Sequence, residues 1–166
     1  MRGRVKVTGL SAVRTELRVL ADRVPDAARK QIHRSAARIV ALAKEYAPED
    51  TSNLVNGIQI IKDYAGQNGR LQIDVGIVMP PDSFSASGTP LTAAQFDNYV
   101  ALVHENYWDA VAYVNGPGKK TLAKIARHGQ KVGTGFLRTA AQEEEPRMGK
   151  SLVEQVTKVI DEVSKA

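Results

Sequence analysis

Apolar residues recur at helical spacing over the first fifty positions. Leu10, Val13, Leu17 and Leu20 form one stripe; Ala28, Ile32, Ala36, Ile39, Val40, Ala43 and Ala47 form another. Pro25 stands between them, suited to the first turn of a new helix, with Asp26 favourable at its positive end. The pattern therefore predicts a helix over about 10–23, with Ser11 or Thr8 as cap, and a longer Ala-rich helix over about 25–47. Arg29, Lys30, Arg34, Arg38 and Lys44 lie largely off the second stripe. Pro48 disfavours helical backbone in the residue before it and ends that helix. Residues 49–53, Glu-Asp-Thr-Ser-Asn, form a turn whose side chains can bond the local backbone.

Residues 54–61 and 71–78 read as two strands. The second alternates apolar and polar positions at its start, and Gly66-Gln67-Asn68-Gly69 between them is a hairpin signal. One face of this hairpin is expected on the Ala-rich helix. Residues 80–98 are predicted to be a long polar loop, an arm that orders on a neighbouring subunit. Residues 98–104 are predicted to be a third antiparallel strand. Gly116-Pro117-Gly118 breaks the chain, 121–127 reads as a short helix, and 136–144 as another that Pro146 interrupts. The last helix, about 147–165, carries Leu152, Val156, Val159, Ile160 and Val163 on one stripe. Val5-Lys6-Val7 reads as a short strand or an ordered arm. The expected fold is α+β: a long Ala-rich helix packed on a small antiparallel β-sheet, with additional N- and C-terminal helices. The 166 residues suit one domain, with an N-terminal arm and helix over 1–24, a core over 25–145 and a C-terminal helix over 146–166.

Composition sharpens this in two respects. Aromatics make up 5% of the chain, so aliphatic residues and alanine must fill most of the core. Cysteine is absent, which excludes disulfides, cysteine-based zinc sites and thiol catalysis. No apolar run reaches the roughly 18–20 residues of a membrane span, and the basic N-terminus lacks a signal-peptide core. The net charge of +5 is unevenly placed. Residues 1–46 hold eleven Lys/Arg against four acids, about +7, so the remainder sums to about −2. Such a bipolar chain suits head-to-tail contact between copies, or one face toward a polyanion.

No enzyme motif stands. His104-Glu105 begins a zinc-protease pattern, but the second histidine would fall at Trp108. Gly116-Pro117-Gly118-Lys119-Lys120-Thr121 fails as a phosphate loop, since Tyr113 and Lys120 occupy the positions needing Gly and Ser/Thr. Serine is nowhere in a Gly-x-Ser-x-Gly context. Glu143-Glu144-Glu145 reads as a solvated helix end. These readings predict no catalytic residue, metal or cofactor. Basic residues clustered in helices leave a nucleic-acid-binding protein as the alternative, through sequence-independent phosphate contact.

Three segments carry a family resemblance: Ala47-Pro48-Glu49-Asp50-Thr51-Ser52-Asn53-Leu54-Val55-Asn56-Gly57-Ile58, then Tyr99-Val100-Ala101-Leu102-Val103-His104-Glu105, then Gly135-Phe136-Leu137-Arg138-Thr139-Ala140. In order and spacing the chain resembles the HK97 gp10-like tail-completion (neck) proteins of tailed bacteriophages over roughly residues 25–145. Ser52 stands where that family usually has glycine, Gly57 where it has serine, and Gly135 where it has lysine. The resemblance implies a non-enzymatic virion protein, made in the host cytoplasm, that joins tail to head. It implies a cyclic homo-oligomer, six-fold, stacked between a connector or adaptor and the tail-tube or tail-terminator protein. Pro48, Asp50, Thr51, Leu54, Tyr99, His104, Glu105, Phe136 and Leu137 are then motif residues with structural roles. Arg29, Arg34, Arg38, Lys119 and Lys120 become candidates for an interface or for a channel in which DNA passes.

Overall fold

The computed structural model describes residues 10–63, 71–112 and 116–165. Its elements are α1 (Leu10–Tyr46), a single turn α2 (Asn53–Gly57), β1 (Ile58–Asp63), β2 (Ile73–Ile77), α3 (Ala93–Ala112), α4 (Lys119–His128) and α5 (Phe136–Ser164). The fold is α+β, with a long helix on a two-stranded antiparallel sheet and further helices around it. The expected Val5–Val7 arm and the turn at 66–69 lie outside the described residues.

The two long helices are antiparallel partners and make the most extensive contact between elements. Arg38 pairs with Glu144 at one level and Arg23 with Glu162 at another, each at 2.6 Å, which fixes the direction. Both helices run through a proline. The predicted break at Pro25 does not occur, and α1 is continuous over 37 residues, about 55 Å. Pro146 likewise sits inside α5 rather than between two helices. Each proline is exposed and costs one backbone bond, while the buried stripe stays in phase across it. Packing along the partner helix outweighs that local cost.

At the far end of α1, Ala43 and Ala47 are fully buried, and β1 and β2 pack across this end of the helix. Ile58 pairs with Ile77 and Ile60 with Val75, with a bulge between Ile60 and Lys62. The predicted strand at 54–61 begins later, because its first residues form α2. Gly57 ends that turn where the hairpin passes closest. Its carbonyl accepts the Val78 N–H at 2.9 Å, and a Cβ there would stand 2.5 Å from the Val78 carbonyl oxygen.

The predicted third strand is part of α3. Phe96, Val103 and Tyr107 are buried with Tyr99 and Val100 beside them, a spacing of helical period. Thr92 and Gln95 start α3 reciprocally: the Gln95 N–H donates to Thr92 Oγ1, and the Thr92 N–H to Gln95 Oε1. The irregular segment before it is therefore shorter than the predicted 80–98. It is pinned by the Leu91 N–H to the Ser83 carbonyl, and by a bridge between Phe84 and Pro90.

Candidate functional site

The three resemblance segments, far apart in sequence, converge at the C-terminal end of α1. A helix end leaves carbonyls without intrahelical partners, at the negative end of its dipole. Here other elements supply the donors. Lys124 of α4, 5% exposed, donates from Nζ to the Lys44 carbonyl at 2.7 Å and the Ala47 carbonyl at 3.1 Å. Gly133 N–H donates to the Tyr46 carbonyl at 3.1 Å. Pro48 is buried as the chain leaves the helix.

The turn that follows is held by α4 on both its backbone and its side chains. Thr121 Oγ1 accepts the Glu49 N–H at 2.9 Å and lies 3.0 Å from the Glu49 carbonyl, to which it donates. The Glu49 carboxylate takes Lys120 at 3.0 Å, Lys124 at 3.1 Å and the Ser52 hydroxyl at 2.8 Å. Burial alone would raise its pKa, but hydrogen bonds from Lys120, Ser52 and Lys124 outweigh it and hold the carboxyl at about 2. Ser52 adopts a left-handed backbone, φ 64°, at the position where the resembled family has glycine. Its hydroxyl also accepts Lys120 Nζ at 2.9 Å, so the serine supplies polar contacts that glycine lacks.

The second and third segments meet beside this turn. α3 loses helical geometry at Asn106, φ −139° and ψ 38°. With the helix interrupted there, the His104 carbonyl accepts the Gly135 N–H at 2.8 Å. The His104 ring stands edge-on to Phe136, centroids 5.2 Å apart, and its Nδ1 lies 3.0 Å from Glu105. Phe136 is fully buried against the same core as Leu54, Tyr46 and Tyr107, with Leu137 packed beside it. Gly133 sits at φ 117°, a backbone conformation that side chains strain, and a Cβ there would crowd the Trp108 ring at 3.0 Å.

Asp50 and Thr51 are exposed on the outer side of the turn. With Asn53, Phe84, Leu91 and Tyr99 they surround a cavity of about 230 Å³. Asn53 closes its base by donating to the Phe84 carbonyl at 2.6 Å. The Tyr99 hydroxyl is pushed up to about 12, by burial first and by the Asp50 charge second.

The five candidate cations separate. Arg38 binds Glu144 and donates to Ser35, and the Glu144 hydrogen bond raises its pKa. Lys120 belongs to the Glu49 cluster. Arg29, Arg34 and Lys119 are exposed and form no ion pair among the described residues. Arg34 and Arg38 share a side of α1, whereas Arg29 lies about 140° round the helix from Arg34.

Glu143 and Glu144 are not a solvated run. Glu144 is 2% exposed, and Glu143 accepts Tyr46 Oη at 2.8 Å and Lys131 Nζ at 2.6 Å. Lys124, Thr121, Gly133 and these two glutamates were not legible as site residues. In α4 the sequence signal is inverted, since Leu122 faces out and Lys124 faces in.

Comparison with curated proteins and with solved structures gave no match. The second and third segments lie beyond the stretch that a family model recognises, and the contacts above join them to it. Residues 11–77, which take in nearly all of α1, the turn and both strands, are similar to the family model described as "Bacteriophage HK97-gp10, putative tail-component".

Proposed function

We propose that this chain is a phage tail component, forming a ring that completes the tail or neck and joins tail to head. The observation that carries the reading is the family match over α1, the turn and the hairpin. The uneven charge supports it, because a chain with about +7 in its first 46 residues and about −2 in the rest can bind its own copies head to tail. In this reading residues 1–166 act as one unit in a cyclic homo-oligomer, six-fold, without enzymatic activity. The protein assembles in the host cytoplasm and ends in the virion. The segment before α3 and α5 face neighbouring subunits, a connector or adaptor binds one side of the ring, and the tail-tube or terminator protein binds the other. No helix of the described residues is long and apolar enough to cross a membrane.

A second reading, a basic nucleic-acid-binding protein, draws on Arg29, Arg34 and Lys119, which form no ion pair among the described residues. Within a ring they could equally meet DNA in the channel. Negative-stain electron microscopy of a lysate from phage lacking the gene separates the two. Filled heads beside detached tails are expected. Intact virions, together with DNA affinity that falls steeply with salt, would replace the structural reading by the second.

A further inference from the structure

One cavity brings together hydrogen-bond acceptors that no described residue fills. It is the space of about 230 Å³ beside the turn, lined by Asp50, Asn53, Phe84 and Tyr99 among others. Asn53 is 7% exposed and uses its Nδ2 on the Phe84 carbonyl. Its Oδ1 accepts no hydrogen bond among the described residues, and the Tyr99 hydroxyl makes none there either. Among those residues no buried side-chain oxygen or nitrogen lacks a partner, so both atoms are open to solvent. Asp50 is exposed and forms no ion pair among the described residues. Its Oδ1 lies 3.9 Å from where a Cβ would stand on Gly118, beside the positive end of α4. The cations of that end are Lys119, which is exposed, and Lys120, which Glu49 and Ser52 already hold.

The wider surroundings are acidic as well. Residues 50–112 hold seven acids against two Lys/Arg, about −5, and Asp50 is the only charged residue in the cavity lining. The lining narrows the chemistry further. A carboxylate, an amide oxygen and hydroxyls accept, while Phe84 and Tyr99 supply aromatic rings. A guanidinium has five donors and no acceptor, is flat, and stacks on aromatic rings while it pairs with a carboxylate. A hard metal ion needs more oxygen ligands, and among the described residues no three His, Asp or Glu side chains come together. The volume lies below the roughly 300–1,000 Å³ of small-molecule sites and suits the end of one side chain.

We propose that this cavity is a binding site for an arginine side chain presented by another polypeptide, its guanidinium against Asp50 and the Asn53 Oδ1 and between the rings of Phe84 and Tyr99. The site is built before the partner arrives. Asn53 is fixed by the Phe84 carbonyl, and the segment that carries Phe84 is pinned through Ser83 and Pro90. The inference goes beyond the ring reading and does not depend on it. Any neighbour that carries an exposed arginine, a second copy or a different protein, presents the same group.

The test is a titration of isotope-labelled full-length protein with acetyl-Gly-Arg-Gly-amide, followed by amide chemical shifts. The same peptide with citrulline, the neutral isostere, or with lysine in place of arginine runs beside it. The arginine peptide is expected to shift the amides of Thr51, Asn53, Ser85 and Tyr99. Citrulline should bind about tenfold more weakly because it loses the charge, and lysine about threefold more weakly because it loses the flat fork. Asp50→Asn should weaken the arginine peptide about tenfold and Tyr99→Phe about threefold, with the midpoint of urea unfolding unchanged. Asp82→Asn, an exposed acid outside the cavity lining, should leave the affinity within about twofold. No shift at all, equal binding of the citrulline peptide, shifts spread over the acids of the hairpin and α3, or full affinity in Asp50→Asn overturns the proposal. The citrulline comparison alters no residue of the protein, so a misfolded variant cannot decide it. Sedimentation of the wild type and Asp50→Asn then identifies the source. An oligomer lost in the variant assigns the arginine to a second copy, and identical sedimentation assigns it to a different protein.

Discussion

The two ends of α1 are built on different principles. At the C-terminal end, α2, both strands, α3, α4 and α5 close on the helix. Lys124 and Gly133 donate to carbonyls at its end, and its aromatic residue Tyr46 is buried in the same core as Phe136. At the N-terminal end, beyond the Arg23–Glu162 pair, the same helix presents leucine and valine to solvent. One end is specified by many directional contacts that exist within the chain. The other carries an apolar stripe with no partner among the described residues of that chain. The difference separates what makes this fold from what the fold offers to its surroundings.

Breaking the buried end should cost most. Phe136→Ala empties the centre of the core where the motif segments meet, and is expected to destabilise the chain by about 3–5 kcal/mol in urea or thermal unfolding. A loss under about 1 kcal/mol would mean that the segments do not share one core. The Glu49 cluster sharpens the comparison through pH. Its folded pKa of about 2 lies below the unfolded value of 4.5, so its contribution is fully present above pH 4.5 and is lost as pH falls toward 2. Glu49 is partly exposed and Lys120 more so, which lowers the expected size to on the order of 2 kcal/mol. Glu49→Gln should flatten the stability profile over that window and leave the slope above pH 5 unchanged. An unaltered acid profile would remove the carboxylate from the account of the turn. At the open end, Leu17→Ser should change monomer stability by no more than about 0.5 kcal/mol, since the side chain is already in water. A large loss would show that the tip is covered within its own chain.

Much of this architecture was legible in the sequence, and the failures share a cause. The hairpin strands and the Ala-rich helix follow from periodicity and local turn chemistry, and the three motif segments from their resemblance to a known family. Pro25 and Pro146 were read as boundaries because proline is a strong local signal. The continuous stripe through Val24 and Ala28 carries the opposite message, and it prevailed because α5 covers it. Residues 98–104 read as a strand because Tyr99, Val100 and Val103 favour one. Their burial together with Phe96 and Tyr107 at helical spacing decides for helix. The inward Lys124 could not be read locally at all. Its reason for being buried is the pair of carbonyls at Lys44 and Ala47, which only the fold brings near.

The antiparallel pairing of α1 with α5 also sets an order in time. α1 is made before the helix that covers it, with about 120 residues of synthesis from the end of α1 to the end of α5, roughly 6–24 s at the usual pace of a ribosome. During that interval the whole stripe of α1, not only its tip, is without the partner that covers it in the finished chain. A nascent chain is therefore most prone to adhere to others before it is complete, and a message truncated ahead of α5 would yield a product whose longest helix stays uncovered.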